Sequence, residues 1–157
     1  MKKLSKKDTI VVLISTLFGV GYTPLCPGTA SCVVAVALFI LIKSRIVFFF
    51  VTLASTIIAF LICTRAEKIF AEKDSKKIVI DDFSGMLITY LFLPKDINIL
   101  FIPAGFFLFR MLDMLKIPPA DKIESLPGAK GIVGDDVAAG IYSLLVIQAV
   151  RFIFPIV

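Results

Sequence analysis

Residues 46 to 64 read IVFFFVTLASTIIAFLICT, a run of nineteen residues without a charge. An α-helix rises about 1.5 Å per residue, so this run approaches the roughly 20 residues needed to cross the 30 Å hydrocarbon core of a bilayer. Arg45 and Arg65 flank the run, where long basic side chains can reach the head groups. The run therefore predicts a membrane-spanning helix.

The composition of the rest of the chain agrees with this prediction. The 157 residues are 59% hydrophobic and 18% charged, whereas soluble domains average about 45–50% and 25%. This composition excludes intrinsic disorder and argues against a freely soluble globule. The length predicts a single domain over residues 1–157. The net charge of +5 indicates contact with anionic lipid head groups and no nucleic-acid partner, because the basic residues are not interleaved with stacking aromatics.

Missing residue types exclude several chemistries. The chain has no histidine, which removes the usual general base and the usual zinc ligand. Its three cysteines show no C-x-x-C spacing. Cys26 is followed six residues later by Cys32 and not by arginine, so the cysteine-phosphatase loop is also absent. Any catalysis must therefore depend on carboxylates, hydroxyls, thiols and lysines.

Charged and helix-breaking residues divide the sequence into short apolar runs. A basic tip that includes Lys2 and Lys3 precedes a helix predicted over 9–20 along the membrane interface. Pro and Gly residues predict a non-helical segment over 19–31, and a solvated helix followed by a turn is expected over 65–82. We expect an all-α integral membrane fold with about five spans, three of them shorter than a full crossing. The spans are predicted over 30–43, 46–64, 83–94, 97–112 and 137–156.

The distribution of basic residues assigns a side to each polar region. With the N-terminus inside, thirteen lysines and arginines fall on the inner side of the membrane and four on the outer side. This orientation places the Pro/Gly segment and both acidic regions on the same, cytoplasmic face. Three separated parts of the sequence are therefore expected to converge on one site.

Two pairs of adjacent acids begin apolar runs, namely Asp81 with Asp82 and Asp135 with Asp136. A carboxylate next to hydrocarbon is costly without a cation, and adjacent carboxylates repel each other. Either pair alone can serve as a helix N-cap. Two pairs on one face favour a shared divalent cation, and ligands that are all oxygen match Mg²⁺.

Arg110, Asp113 and Lys116 follow at intervals of three residues, which places neighbours on one side of a helix that Pro118 and Pro119 would end. A guanidinium, a carboxylate and an ammonium suit a phosphate beside a metal ion. A salt-bridged helix end at the membrane interface would show the same spacing.

Two glycine-rich segments could contact a phosphate. Thr29 and Ser31 precede an apolar run as capping residues do, and the glycines before them leave backbone N–H groups accessible to an anion. A simple turn between two membrane helices is the alternative. Residues 128–134 form a flexible approach to Asp135, with Lys130 placed to contact a phosphate.

Four blocks of the sequence together resemble the phosphatidylglycerophosphatase A family. They occur in the family's order and touch most of the chain apart from residues 33–76. Asp82 stands where the family usually has glutamate. Because aspartate and glutamate are both acids, this difference keeps the position acidic. The blocks are GVGYTPLCPGTASC (19–32), KIVIDDFSGMLIT (77–89), FRMLDMLKIPP (109–119) and GAKGIVGDDVAAG (128–140).

The resemblance implies a Mg²⁺-dependent enzyme of the bacterial inner membrane. It would hydrolyse phosphatidylglycerophosphate to phosphatidylglycerol and phosphate, with its active site facing the cytoplasm. Its partners would be this phospholipid substrate and the surrounding membrane lipids, with the acyl chains against the Phe-rich helices. Two other functions remain open: a non-catalytic membrane protein that binds or carries cations, and a phosphatase for another lipid phosphate.

We predict the following site residues from these patterns and the resemblance. The catalytic acids are Asp81, Asp82, Asp113, Asp135 and Asp136, and the last four also bind the metal ion. The substrate-binding residues are Tyr22, Pro27, Gly28, Thr29, Ser31, Arg110, Lys116 and Lys130.

Overall fold

The computed structural model describes residues 5–72, 75–94, 96–118 and 120–153, and every regular element in this part of the chain is helical. The all-α prediction is confirmed. Lys2, Lys3 and Pro119, which the sequence analysis used, lie outside the described residues. The elements are α1 (Lys6–Ser15), a 3₁₀ turn (Val20–Tyr22), α2 (Pro27–Leu41), α3 (Arg45–Phe70), α4 (Ile80–Thr89), α5 (Phe101–Leu115), α6 (Ala120–Glu124), α7 (Ala129–Ile132) and α8 (Gly134–Ile153).

The first helix begins and ends earlier than the predicted range 9–20. After Ser15 the chain leaves helical geometry, and Leu17 and Gly19 adopt φ values of 48° and 101°. Residues in this left-handed region cannot continue a right-handed helix. The Ser15 carbonyl instead accepts a hydrogen bond from Val79 N–H at 2.9 Å, which fixes the end of α1 against the start of α4.

The predicted non-helical segment is wrong at its C-terminal end, because α2 begins at Pro27 and not near residue 31. Cys26 has a non-helical backbone conformation, and Pro27 takes the first helical position, where its ring fixes a suitable φ and no N–H is required. Thr29 and Ser31 therefore lie inside the helix and are not capping residues before it. Ser31 is buried, and its Oγ donates to the Gly28 carbonyl at 2.7 Å.

The charge-free run quoted first forms the centre of α3, which continues as one helix of 26 residues to Phe70. Of the helix and turn expected over 65–82, residues 65–70 are helical but continue α3, residues 76–77 form a turn, and Ile80 already begins α4. At 1.5 Å per residue α3 is about 39 Å long, more than a bilayer core requires. Large apolar side chains on α3 face outward, including Phe50 (61% exposed) and Leu61 (74% exposed), as expected of a helix in contact with lipid.

The predicted count of about five spans is not confirmed. In the described part of the chain, two helical segments are long and apolar enough to cross a membrane, α3 and the segment Ala129–Ile153 that joins α7 and α8. The ranges 83–94 and 97–112 correspond to α4 and α5, which are only about 15 and 22 Å long. Nine of the ten residues of α4 are buried, so α4 is a core helix packed inside the protein.

Two glycines allow α4 to lie directly against α8, the most extensive helix contact among the described elements. A methyl group on Gly140 would overlap the Gly85 carbonyl, and a methyl group on Gly85 would lie 2.7 Å from the Asp136 carbonyl oxygen. Small residues at such a crossing let the backbones approach without side chains between them. The close approach brings the acid pairs that begin α4 and α8 to the same end of the molecule.

Candidate active site

Three helices begin around a cavity of about 370 Å³ at this end of the molecule. The N-termini of α2, α4 and α8 all contribute residues to its lining, and the C-terminal half of α5 closes another side. Because a helix N-terminus carries partial positive charge, this arrangement favours anions in the cavity. The predicted site residues that line it are Pro27, Gly28, Thr29, Asp81, Asp82, Arg110, Asp113, Lys116, Asp135 and Asp136.

Asp82, Asp113 and Asp136 form a three-acid group at the centre of the site. One carboxylate oxygen from each residue lies within 4.8 Å of the other two. Adjacent ligands of an octahedral Mg²⁺ are about 3.0 Å apart, and opposite ligands about 4.2 Å apart, when each bond is about 2.1 Å long. Three ligands include at least two adjacent pairs, so the carboxylate oxygens would have to approach one another by up to about 2 Å for one such ion to bind all three.

Arg110 lies between two members of the three-acid group. Its Nη1 forms ion pairs with Asp82 Oδ1 and with Asp113 Oδ2, the latter at 3.0 Å. One cation between two carboxylates reduces their mutual repulsion. A guanidinium has five N–H donors in a planar fork, so Arg110 can hold these carboxylates and also donate to a phosphate oxygen.

Lys116 supplies the second cation, from a strained position just after α5. Its φ of 45° is in the left-handed region, which costs a non-glycine residue about 1–2 kcal/mol. Lys116 Nζ lies 2.9 Å from Asp135 Oδ2 and 2.5 Å from Glu124 Oε1 on α6. Burial lowers the pKa of Lys116, but the hydrogen bonds to Glu124 and Asp135 outweigh burial and raise it, so the ammonium stays charged.

Asp135 and Asp136 each have one buried oxygen, Oδ1, that accepts no hydrogen bond within the described ranges. The two residues are only 8% and 6% exposed. A buried polar atom without a partner costs about 1–3 kcal/mol, and a charged one costs more. These two oxygens indicate that the site accommodates a further cation or hydrogen-bond donor.

The charges of the lining residues support the same conclusion. Among the described residues, five carboxylates and three basic groups line the cavity, so their full ionisation would leave two negative charges without compensation. One divalent cation would balance them, and a ligand set made only of oxygen fits a hard ion such as Mg²⁺. The basic groups are Lys76, Arg110 and Lys116.

Asp81 and Gly28 hold Asp82 in place without belonging to the three-acid group. Asp81 Oδ1 accepts the backbone N–H of Asp82 at 2.9 Å, and Asp81 is only 4% exposed. A methyl group on Gly28 would overlap the Asp82 carboxylate, so the first turn of α2 contacts Asp82 through bare backbone. Any larger residue at position 28 would displace this carboxylate.

Three predicted substrate-binding residues lie away from the cavity lining. Tyr22 is in the 3₁₀ turn and is 56% exposed, Ser31 is buried inside α2, and Lys130 is exposed on α7. Asp135, predicted among the metal ligands, lies outside the three-acid group and bonds Lys116. The structure therefore places most of the predicted site residues in the cavity lining and leaves Tyr22, Ser31 and Lys130 outside it.

Other residues at the cavity were missed by sequence reasoning. Lys76 lines it but stands among several lysines in a polar stretch, where no pattern distinguishes it. Glu124 contacts Lys116 from a five-residue helix that carries no periodic signal. Leu25 and Met114 also line the cavity. The one available signal was Leu25 itself, an apolar residue held between Pro24 and Pro27 outside any predicted helix.

Comparisons with known proteins give consistent relatives. Residues 13–151 match the profile of the family described as Phosphatidylglycerophosphatase A. Phosphatidylglycerophosphatase A of Escherichia coli K12 is 30% identical over 92% of this chain and 85% of its own length. Phosphatidylglycerophosphatase A of Haemophilus influenzae is 32% identical over 97% of this chain and 94% of its own length. A Bacteroides thetaiotaomicron protein provisionally named phosphatidylinositol-3-phosphatase is 31% identical over 96% of this chain and 99% of its own length. No solved structure gives a significant match.

Proposed function

The chain belongs to the Phosphatidylglycerophosphatase A family and is therefore a phosphoric monoester hydrolase, and we propose that it hydrolyses phosphatidylglycerophosphate with the help of Mg²⁺ in the cavity described above. The products are phosphatidylglycerol and phosphate. The three-acid group of Asp82, Asp113 and Asp136 beside Arg110 is the observation that carries the proposal. Because the family is enzymatic, the non-catalytic carrier considered from sequence is set aside.

Asp82, Asp113 and Asp136 would hold the metal ion. One oxygen from each lies within 4.8 Å of the other two, and Asp136 Oδ1 has no hydrogen-bond partner among the described residues. A ligand set made only of carboxylate oxygens is the kind that Mg²⁺ prefers. When bound, Mg²⁺ supplies positive charge that neutralises the charge developing on the phosphoryl oxygens.

The basic residues and the α2 N-terminus would bind the substrate phosphate. Arg110 and Lys116 are both held by ion pairs at the cavity wall, so their cationic groups are positioned before substrate arrives. The first turn of α2, with Gly28 and Thr29 in the lining, adds backbone N–H groups and the positive end of a helix. These groups together would fix the terminal phosphate for attack by water.

Asp135 is the acid best placed to accept a proton from that water. Lys116 holds its Oδ2, while its buried Oδ1 has no hydrogen-bond partner in the described ranges. Water oxygen forms a bond to phosphorus as the bond from phosphorus to the glycerol oxygen breaks. The water proton passes to Asp135, and the glycerol oxygen is protonated from solvent, so the products are an alcohol and phosphate.

We place this site at the cytoplasmic face of the inner membrane. The two segments of spanning length support membrane insertion, and the excess of lysine and arginine on the cavity side supports the orientation. Lys116 and Lys76, both in the cavity lining, belong to that excess.

Phosphate release from phosphatidylglycerophosphate in mixed detergent micelles tests the proposal with the purified full-length chain. We expect release with Mg²⁺ and none with EDTA. Asp136→Asn should reduce the rate by about 10²–10³-fold and weaken Mn²⁺ binding measured by electron paramagnetic resonance. Asp135→Asn should reduce the rate while Mn²⁺ still binds, because Asp135 acts on the proton.

Asp121→Asn is the matched control, since Asp121 lies on α6 at a different cavity and is exposed. Its rate and its Mn²⁺ binding should equal those of the wild type. Full activity in EDTA, or an unchanged rate for Asp136→Asn, would contradict the assigned metal site.

A second candidate substrate is a phosphorylated phosphatidylinositol. The Bacteroides thetaiotaomicron relative, which aligns over nearly its whole length, carries a name of that kind. Both lipids present a phosphate monoester on a diacyl lipid head group, so the same cavity chemistry would serve either. Measuring kcat/KM for both lipids in identical micelles distinguishes them, and we expect phosphatidylglycerophosphate to be preferred.

A further inference from the structure

The cavity of charged residues has an apolar rim. Leu25, in the loop before α2, is 90% exposed, and Met114, in the last turn of α5, is 75% exposed. Both also line the cavity that contains the three-acid group. Exposed apolar residues are common on this protein, and Leu25 and Met114 are distinguished by also bordering the charged cavity from two separate elements.

The apolar surface continues from the rim along α5. Phe107, Met111 and Met114 are spaced by four and three residues, which places them on one face of the helix. They are 70%, 49% and 75% exposed. This stripe extends about 10 Å from the cavity along the helix axis. We call Leu25, Phe107, Met111 and Met114 the apolar track.

We propose that the apolar track binds the acyl chains of the diacyl phospholipid whose terminal phosphate occupies the cavity. The proposal rests on the proposed function and adds the residues that recognise the lipid part of the substrate. Phosphate and acyl chains belong to one molecule, so the lipid must cross the cavity rim between its charged end and its chains. A cavity lined by Arg110 and Lys116 suits the phosphate, and the adjoining surface at Leu25 and Met114 suits hydrocarbon.

From sequence, the acyl chains were expected against the Phe-rich helices, which include both α3 and α5. Of these two, the Phe-rich part of α3 lies away from the cavity. Phe48 packs edge-on against Phe39 with ring centroids 5.4 Å apart. Phe39 is twelve residues beyond Pro27 on α2, or about 18 Å from the cavity along that helix. Phe48 is moreover buried. Of the two Phe-rich helices, α5 is therefore the one whose exposed face, with Phe107, Met111 and Met114, adjoins the phosphate site.

The test compares lipid with its deacylated head group, glycerophosphoglycerophosphate, as substrates of the same variants. Leu25→Ser and Met114→Ser should each raise KM for the diacyl lipid in mixed micelles by roughly tenfold, because each removes one buried apolar contact in the complex. Both variants should hydrolyse the deacylated substrate within twofold of the wild type. A general structural defect would instead lower activity on both substrates.

Leu41→Ser is the matched control, since Leu41 is 74% exposed at the opposite end of α2. It removes a similar exposed side chain and should leave both KM values unchanged. Met114→Leu should restore the wild-type KM for the lipid, because the apolar contact returns. Equal KM values for Leu25→Ser, Met114→Ser and Leu41→Ser on the lipid would overturn the inference.

If the proposed function itself is wrong, the experiment gives a different result from the one that would overturn this inference. In that case the wild type would release phosphate from neither the lipid nor its head group. A second measurement uses lipids with chains of six to sixteen carbons. For the wild type we expect KM to fall as the chains lengthen. For the double variant Leu25→Ser/Met114→Ser we expect KM to depend less on chain length. If KM depends equally on chain length in both proteins, the inference is contradicted.

Discussion

Helices α3 and α4 both come from apolar runs that predict membrane spans, yet their surroundings are opposite. Most large side chains of α3 are exposed, while nine of ten residues of α4 are buried by other helices. Hydrophobicity shows only that both segments avoid water. Whether a segment contacts lipid or protein depends on what packs around it, and α4 is surrounded by α2, α3, α5 and α8.

The polar residues of the two helices differ in the same way. Asp82, in the first turn of α4, contacts Arg110 inside the cavity and is held by the bare backbone of Gly28. Glu67, near the end of α3, is half-buried and lines a separate cavity of about 210 Å³. The acid on the core helix therefore belongs to the three-acid group, whereas the acid on the outer helix lies at a different cavity. Three substitution pairs test this contrast.

The largest expected effect is on activity, from Asp82→Asn compared with Glu67→Gln. Asp82→Asn keeps the side-chain shape but removes one charge from the three-acid group, and we expect the rate of phosphate release to fall about 10²–10³-fold. Glu67→Gln should stay within twofold of the wild type. Steady-state phosphate release at saturating Mg²⁺ measures both. Similar losses in the two variants would show that the acids of α3 and α4 are not distinguished as described.

The next effect is on stability, from Gly85→Val compared with Ala54→Val. Valine at position 85 would force α4 away from α8 and from Phe109, and we expect about 2–4 kcal/mol of lost stability. Ala54 is exposed on α3, so the added methyl groups should have little effect there. Thermal unfolding in detergent micelles measures the difference. A Gly85→Val protein as stable as Ala54→Val would mean that the α4 and α8 backbones do not approach closely.

The smallest effect is expected for Leu61→Ala on the outer face of α3. Leu61 is 74% exposed, so its removal should change stability in micelles by less than about 0.5 kcal/mol. Met86 on α4 is fully buried, and Met86→Ala provides the contrast with an expected loss of about 2–5 kcal/mol. A large loss for Leu61→Ala would indicate that a protein surface covers this face of α3.

Much of the candidate site could be predicted from sequence because its chemistry resides in residue types. Adjacent acids at the start of an apolar run, as at Asp135 and Asp136, are costly enough to indicate a partner cation wherever they lie. Lys76 and Glu124 could not be predicted, since charged residues in polar stretches are usually solvated and only distance distinguishes those that line a cavity. The start of α2 was missed because Pro27 was interpreted as a helix breaker, although proline is favoured at the first helical position.

The sequence by itself determined that the chain is helical, that it contains at least one segment able to cross a membrane, and that no histidine is available for its chemistry. Those properties follow from composition and local spacing, which do not change with the fold. Only the tertiary structure decided that α4 is a core helix and that, among the predicted metal ligands, Asp82, Asp113 and Asp136 group together while Asp135 contacts Lys116. The close contact of Gly85 with Gly140 brings α4, which carries Asp82, against α8, which carries Asp136. Helix packing brings together residues far apart in the chain, and no local pattern records which backbones can approach.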